Sequence, residues 1–149
     1  MMSKMNWRQL LSSTRFPIDE HGRIVPHESS IDPYRSPYQM DYDRVVFSPA
    51  FRRLGRKTQV HPLAQNDHTH NRLTHSVEVA SVGRSLGNQA GILLQQQQHI
   101  PSHIAPHDIA TIVQTACLAH DLGNPPFGHT GEEAIRHWFK QPAHQHSPL

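Results

Sequence analysis

Residues 118–133, Leu-Ala-His-Asp-Leu-Gly-Asn-Pro-Pro-Phe-Gly-His-Thr-Gly-Glu-Glu, hold most of the groups in this chain that could do chemistry. His120 and Asp121 are adjacent, at the end of an apolar helical run. A neutral imidazole beside a carboxylate offers one nitrogen and one oxygen ligand, a set suited to a borderline divalent metal. Adjacent helical residues point about 100° apart. They can share one ion only where the backbone leaves the helix, and Gly123-Asn124-Pro125-Pro126 is such an exit. A lone His-Asp pair is more often a solvated loop feature, so the reading depends on the other parts.

The second part is His75, which the periodicity puts on an apolar helical stripe. His75, His120 and Asp121 are therefore three candidate metal ligands. The alternative is that His75 is a core histidine satisfied by a backbone hydrogen bond. Arg72 lies one turn before His75, so both project to the same side of a helix. A guanidinium beside a metal suits a phosphate-bearing substrate: the ion polarises one oxygen and the fork holds others. The alternative is a surface arginine at a helix start, where the dipole slightly disfavours it. His129 and Glu132 are also three apart. A carboxylate can orient an imidazole and raise its basicity, which makes a general acid/base pair, against the alternative of an acidic helix-capping cluster with an incidental histidine. Arg52, Arg53, Arg56 and Lys57 form the one dense basic patch. It could bind triphosphate oxygens, a polynucleotide backbone, or only water. No aromatic ladder accompanies it, which weighs against single-strand binding as the main task.

The elements that must position these groups read as helices. Residues 5–12 suggest a short helix with Trp7, Leu10 and Leu11 on one side, and residues 13–40 an extended arm, either a linker or a strap over a neighbouring subunit. Asp41 is expected to cap a helix through Phe47. Ser48-Pro49 then restarts one, with Ser as N-cap and Pro first in the helix. Residues 57–60 suggest a short extended segment, and residues 61–70 a polar loop. A long helix is expected from Arg72 to Leu94, with His75, Val79, Val82, Leu86, Ala90 and Leu93 on its buried face. The next runs from His107 to Leu122, with Ile109, Ile112, Val113, Ala116 and His120 inward. Thr130 to Glu133 matches a capping box, which leaves Glu132 free, before an apolar face of Ala134, Ile135, Trp138 and Phe139.

Composition narrows the class. The 149 residues make one domain or part of one. Hydrophobic residues are 36%, below the roughly 45–50% of an average globular chain. A core is possible, but much polar surface remains. A net charge of +2 implies no strong field for nucleic acid. The single cysteine, Cys117, excludes an internal disulfide and a cysteine-rich zinc module, and its apolar context suggests a buried structural thiol rather than a nucleophile. No run approaches the ~18 apolar residues of a membrane span, and Met1 to Arg15 lack the apolar centre of a signal peptide. A cytoplasmic protein is expected, with no membrane partner.

Asn71-Arg72-Leu73-Thr74-His75-Ser76 and Ala119-His120-Asp121-Leu122-Gly123-Asn124-Pro125-Pro126-Phe127-Gly128-His129 resemble the HD-domain superfamily, and more narrowly its bacterial deoxyguanosine triphosphate triphosphohydrolase-like enzymes. Arg35-Ser36-Pro37, Phe51-Arg52-Arg53-Leu54 and Lys57-Thr58-Gln59-Val60 are similar to the same family. The likeness spans residues 35–140. It implies an all-α HD-domain bundle and hydrolysis of a deoxynucleoside triphosphate to deoxynucleoside and inorganic triphosphate. In that pattern His75, His120 and Asp121 correspond to ligands of a divalent ion (Mg, Mn, Co, Fe or Zn). His129 and Glu132 correspond to the catalytic histidine and its acidic partner, and Arg72 to a phosphate contact. Gln59 falls where related enzymes read the sugar 3′-hydroxyl, and Arg53 is the basic-patch residue taken as a substrate contact. A metal-held water or hydroxide would attack the α-phosphorus.

The family also uses a further aspartate from a later helix, and no aspartate follows Asp121 here. The expectation is thus residues 1–40 as short helix and arm, and residues 41–149 as the N-terminal part of an HD domain, incomplete at its C-terminus. Single-stranded DNA and a second copy of the chain are further partners under this reading. The rivals are a non-catalytic nucleotide- or nucleic-acid-binding module, another HD phosphohydrolase, and an unstable fragment.

Overall fold

The computed structural model describes residues 5–28, 32, 34–56, 71–125 and 127–142. Among these the fold is helical, save for one pair of two-residue strands. No described helix is long and apolar enough to cross a membrane.

The first helix, α1, is a single turn (Trp7–Leu10) capped by the Asn6 side chain. Leu11 after it is buried, whereas Leu10 faces solvent. The following segment does not run out as an arm. It doubles back as an antiparallel hairpin, with β1 (Thr14–Arg15) on β2 (His27–Glu28) and Thr14 opposite Glu28. Asp19 organises its turn: Oδ1 accepts from the backbone N–H of His21 (2.9 Å) and Arg23 (2.8 Å). The Arg23 N–H is the main cause holding the Asp19 carboxyl below its ordinary value. The hairpin is tied to its own chain where Arg15 Nε donates to Asp41 Oδ1 (3.0 Å).

The helix that carries Asp41 starts earlier than expected. The next helix, α2 (Pro37–Phe47), begins ahead of Asp41, because Ser36 Oγ accepts from the Gln39 N–H and Pro37 takes the first helical position. Asp41 lies inside the helix and serves Arg15. Ser48 behaves as expected: Oγ accepts from the Phe51 N–H (3.2 Å) and Pro49 opens α3 (Pro49–Arg53), which a 3₁₀ turn at Leu54–Arg56 continues. Residues 57–70, with the expected extended segment and polar loop, lie outside the described residues.

The long helix α4 (Arg72–Gln96) starts with a reciprocal cap. Asn71 Oδ1 accepts from the Thr74 N–H (2.9 Å), and Thr74 Oγ1 from the Asn71 N–H (3.2 Å). It packs antiparallel on α5 (Pro106–Ala119). The stripe expected to be buried is not the one that packs. Val82, Leu86 and Leu93 are exposed, and the buried face is Ser76, Ala80, Gly83, Gly87 and Gly91, one position further round. Backbone approach decides this. A Cβ at Gly91 would lie 2.8 Å from Pro106 Cα, one at Gly87 3.0 Å from Ala110 Cα, and one at Gly83 2.5 Å from Cys117 Sγ. Glycine every four residues lets the helix axes close further than valine or leucine would allow. On α5, Ile109, Ala110 and Leu118 are buried, while Ala116 is exposed rather than inward.

Two apolar clusters result. One joins Leu11, Tyr38, Ile100, Ile104 and Ile109. Here the Tyr38 hydroxyl donates to the Leu11 carbonyl (2.6 Å). Burial pushes its pKa up, and the Asp108 carboxylate adds to the shift. The other cluster joins Phe51, Leu54, Ala80 and Leu118, with Leu73 and Leu122 against it, and so lies under the ends of α4 and α5 that carry Arg72, His75 and His120.

The last helix, α6 (His129–Lys140), follows Gly128 without a side-chain cap. The Thr130 capping box is not formed, since Thr130 is already the second helical residue and an N-cap residue stands before the first. Among the described residues α6 has no extensive packing against another element. Ile135, Trp138 and Phe139 on its apolar side are each about half exposed.

Candidate metal centre

Antiparallel packing brings the first turn of α4 to the last turn of α5. Arg72 and His75 come from the former; His120, the C-cap residue of α5, and Asp121 come from the latter. The helix end is favourable to a cation, since the last carbonyls of α5 carry the negative end of its dipole.

His120 is held by its own turn: Nδ1 lies 2.7 Å from the Cys117 carbonyl oxygen. With Nδ1 protonated to make that bond, Nε2 is left with a lone pair. The rings of His75 and His120 meet edge to face, with centroids 5.3 Å apart. Asp121 is 7% exposed. Its Oδ1 accepts from Arg72 Nη1 (3.0 Å) and from Asn124 Nδ2. Its Oδ2 is buried, has no hydrogen-bond partner among the described residues, and lies 3.5 Å from His120 Nε2. A buried carboxylate oxygen without a donor is costly and calls for one. Two imidazoles and one carboxylate with a bare oxygen fit a borderline divalent ion in type. The pairs meet, yet among the described residues no three such side chains close into a finished metal cage.

The remaining candidates are placed as follows. His129 Nδ1 lies 3.1 Å from Glu132 Oε2, across the first turn of α6. The His129 side chain is fully exposed, and among the described residues no extensive helix packing fixes this pair against the His75–His120 pair. Glu133 pairs with Arg136 (3.6 Å) rather than capping. Arg53 is exposed at the end of α3. Gln59 lies outside the described residues. Arg72, expected to face a phosphate, spends one nitrogen on Asp121.

A family model for the HD domain matches residues 72–148, just over half of the chain. The chain belongs to the HD-domain family. The HD-domain match begins at Arg72 and takes in both histidine blocks, leaving Arg53 and Gln59 before it. This is a family of metal-dependent phosphohydrolases, so a divalent metal is implied for the HD domain. The chain is 55% identical over 139 residues to a deoxyguanosinetriphosphate triphosphohydrolase-like protein of Pseudomonas aeruginosa (strain LESB58), covering 93% of this chain and 29% of that one. It is 45% identical over 137 residues to a protein of the same description from Synechocystis sp. (strain PCC 6803), covering 92% and 29%. It is 40% identical over 144 residues to a deoxyguanosinetriphosphate triphosphohydrolase of Enterobacter sp. (strain 638), covering 93% and 26%. The chain thus spans less than a third of the length of these relatives.

Sequence reasoning missed two parts of this HD-domain site. Asn124 stood in the motif only as part of a chain exit, although its place three residues after Asp121 puts its amide within reach of the carboxylate. The glycines of α4 were visible at four-residue spacing, and that spacing was the signal for close helix contact.

Proposed function

We propose that this site hydrolyses deoxynucleoside triphosphates, with dGTP as substrate, to deoxynucleoside and inorganic triphosphate, using a divalent ion held by His75, His120 and Asp121. The observation that carries the reading is the bare, buried Asp121 Oδ2 beside His120 Nε2, at the meeting of two helices. The family match and the names of the relatives support the choice of reaction.

When bound, the ion supplies Lewis acidity toward phosphate oxygens and lowers the pKa of a coordinated water. The chain's own residues do the rest. His120, its Nδ1 committed to the Cys117 carbonyl, presents Nε2 as a nitrogen donor. Arg72 gives one nitrogen to Asp121 and keeps further N–H donors for phosphate oxygens. Glu132 holds the Nδ1 proton of His129, so that Nε2 can exchange a proton with the attacking water or the leaving 5′-oxygen. Arg53, exposed with Arg52 and Arg56, contributes positive charge for the triphosphate or for single-stranded DNA. Gln59, outside the described residues, is assigned to the sugar 3′-hydroxyl from the family resemblance alone. We place the protein in the cytoplasm, and a self-associated form is tested by sizing.

The deciding assay incubates the chain with dGTP and Mn²⁺ and identifies the products. Triphosphate plus deoxyguanosine, lost with a chelator and in His120→Ala, is the expected result. Orthophosphate or a nucleoside monophosphate would assign the site to another HD phosphohydrolase. Nucleotide or single-stranded DNA binding that survives loss of His120 and Asp121 and weakens steeply with salt would make it a binding module.

A further inference from the structure

Asp121 does not offer its two oxygens alike. Oδ1 accepts two hydrogen bonds, from Arg72 Nη1 and Asn124 Nδ2. A carboxylate oxygen has two in-plane lone pairs, so Oδ1 has no acceptor position left. Among the described residues Oδ2 has no donor, and it is the oxygen turned to His120 Nε2. The donors come from different elements. Arg72 is the first residue of α4, while Asn124 stands in the turn beyond α5, just after Gly123, whose positive φ (+77°) redirects the chain. They therefore fix the rotation of the carboxylate about its own axis as well as its position.

We propose that Asn124 and Arg72 are positioning residues that saturate Oδ1, so that Asp121 presents Oδ2 alone, as a one-oxygen ligand. This rests on the metal-site reading above. It also separates two tasks. The protein-facing oxygen ties the turn to α4, and the bare oxygen is kept for the cation. Partners of this kind, one bond removed from a metal, are worth about 10–100-fold in metal affinity when lost. Asn124 is the cleaner probe, because it carries no charge. Removing Arg72 also removes a cation from the neighbourhood of the ion, which works in the opposite direction.

The test is Mn²⁺ affinity, read from the electron paramagnetic resonance of free Mn²⁺, together with the melting temperature in chelator. Asn124→Ala is expected to bind Mn²⁺ about 10–100-fold more weakly while melting in chelator close to the wild type. Arg72→Lys keeps the charge but loses the planar fork, and a smaller loss is expected. It also serves as the probe should Asn124→Ala not fold. Affinity equal to or tighter than wild type in Asn124→Ala overturns the proposal. A drop in melting temperature with unchanged affinity also overturns it, since the residue would then be only structural. His120→Ala separates this from the underlying reading. If it loses the ion while Asn124→Ala keeps it, only the positioning role fails. If it binds as wild type does, the metal assignment itself fails.

Discussion

His120 and His129 stand on consecutive helices, and each has its Nδ1 engaged, yet the two are held very differently. His120 sits over a buried cluster, against His75, beside a carboxylate that is 7% exposed, between helices whose glycines touch backbone. His129 projects fully into solvent, and among the described residues its helix has no extensive packing and its side chain is held by Glu132 in its own turn. The half of the candidate site proposed to hold the metal is thus a product of tertiary packing, and the half proposed to transfer a proton a product of local helix geometry. The first should respond to changes in the core far from the ligands. The second should respond only to its own two residues.

The largest expected effect is on chemistry alone. If the proposed reaction holds, His129→Ala should lower triphosphate release about 10²–10⁴-fold and leave the melting temperature unchanged, because the side chain is fully exposed. A clear loss of stability in that variant would show that α6 is packed after all. Next in size is the helix contact. Gly91→Val sets side-chain atoms where Pro106 backbone lies 2.8 Å from a Cβ, and overpacking of this kind costs about 1–3 kcal/mol. It should also weaken Mn²⁺ binding at the far end of the same interface, as titration with the ion can check. An unchanged denaturation midpoint would break the distinction between the two halves.

A smaller effect comes from pH. The Tyr38 proton is held above its ordinary value of 10.0, through burial first and the Asp108 carboxylate second. Between the ordinary and the raised value the folded state binds more protons than the unfolded one. Stability therefore falls as pH rises through that window and is unaffected below it. Denaturant melts from pH 8 upward should show this decline, and it should be absent in Tyr38→Phe. The smallest effect is on the outer stripe of α4. Val82→Ala and Leu86→Ala should each change stability by no more than about 0.5 kcal/mol, since both side chains are exposed. A cost of about 2 kcal/mol would mean that this face is covered in solution.

Helix positions were largely legible in the sequence because caps and breakers are local. Ser48-Pro49 acts within one turn of itself. Asp41 misled for a tertiary reason: it resembles a cap but is claimed by Arg15, far away in the chain. The buried face of α4 was misjudged because hydrophobic periodicity counts side chains, whereas this interface is made where side chains are missing. The family resemblance picked out the two histidine blocks, and the structure brings His75 to His120 and His129 to Glu132. What the motif did not reveal was the division of labour on Asp121. A three-residue reach from Asn124 and a long-range reach from Arg72 are set by the turn and by helix packing, and neither has a sequence period.

The most direct test is equilibrium dialysis of the chain against Mn²⁺, wild type beside His75→Ala, since His75 belongs to the other helix. A single ion per chain, held at least tenfold more weakly by the variant, is the predicted result. Wild-type chain that retains no ion, or a variant that holds it equally well, would contradict a cation shared between α4 and α5.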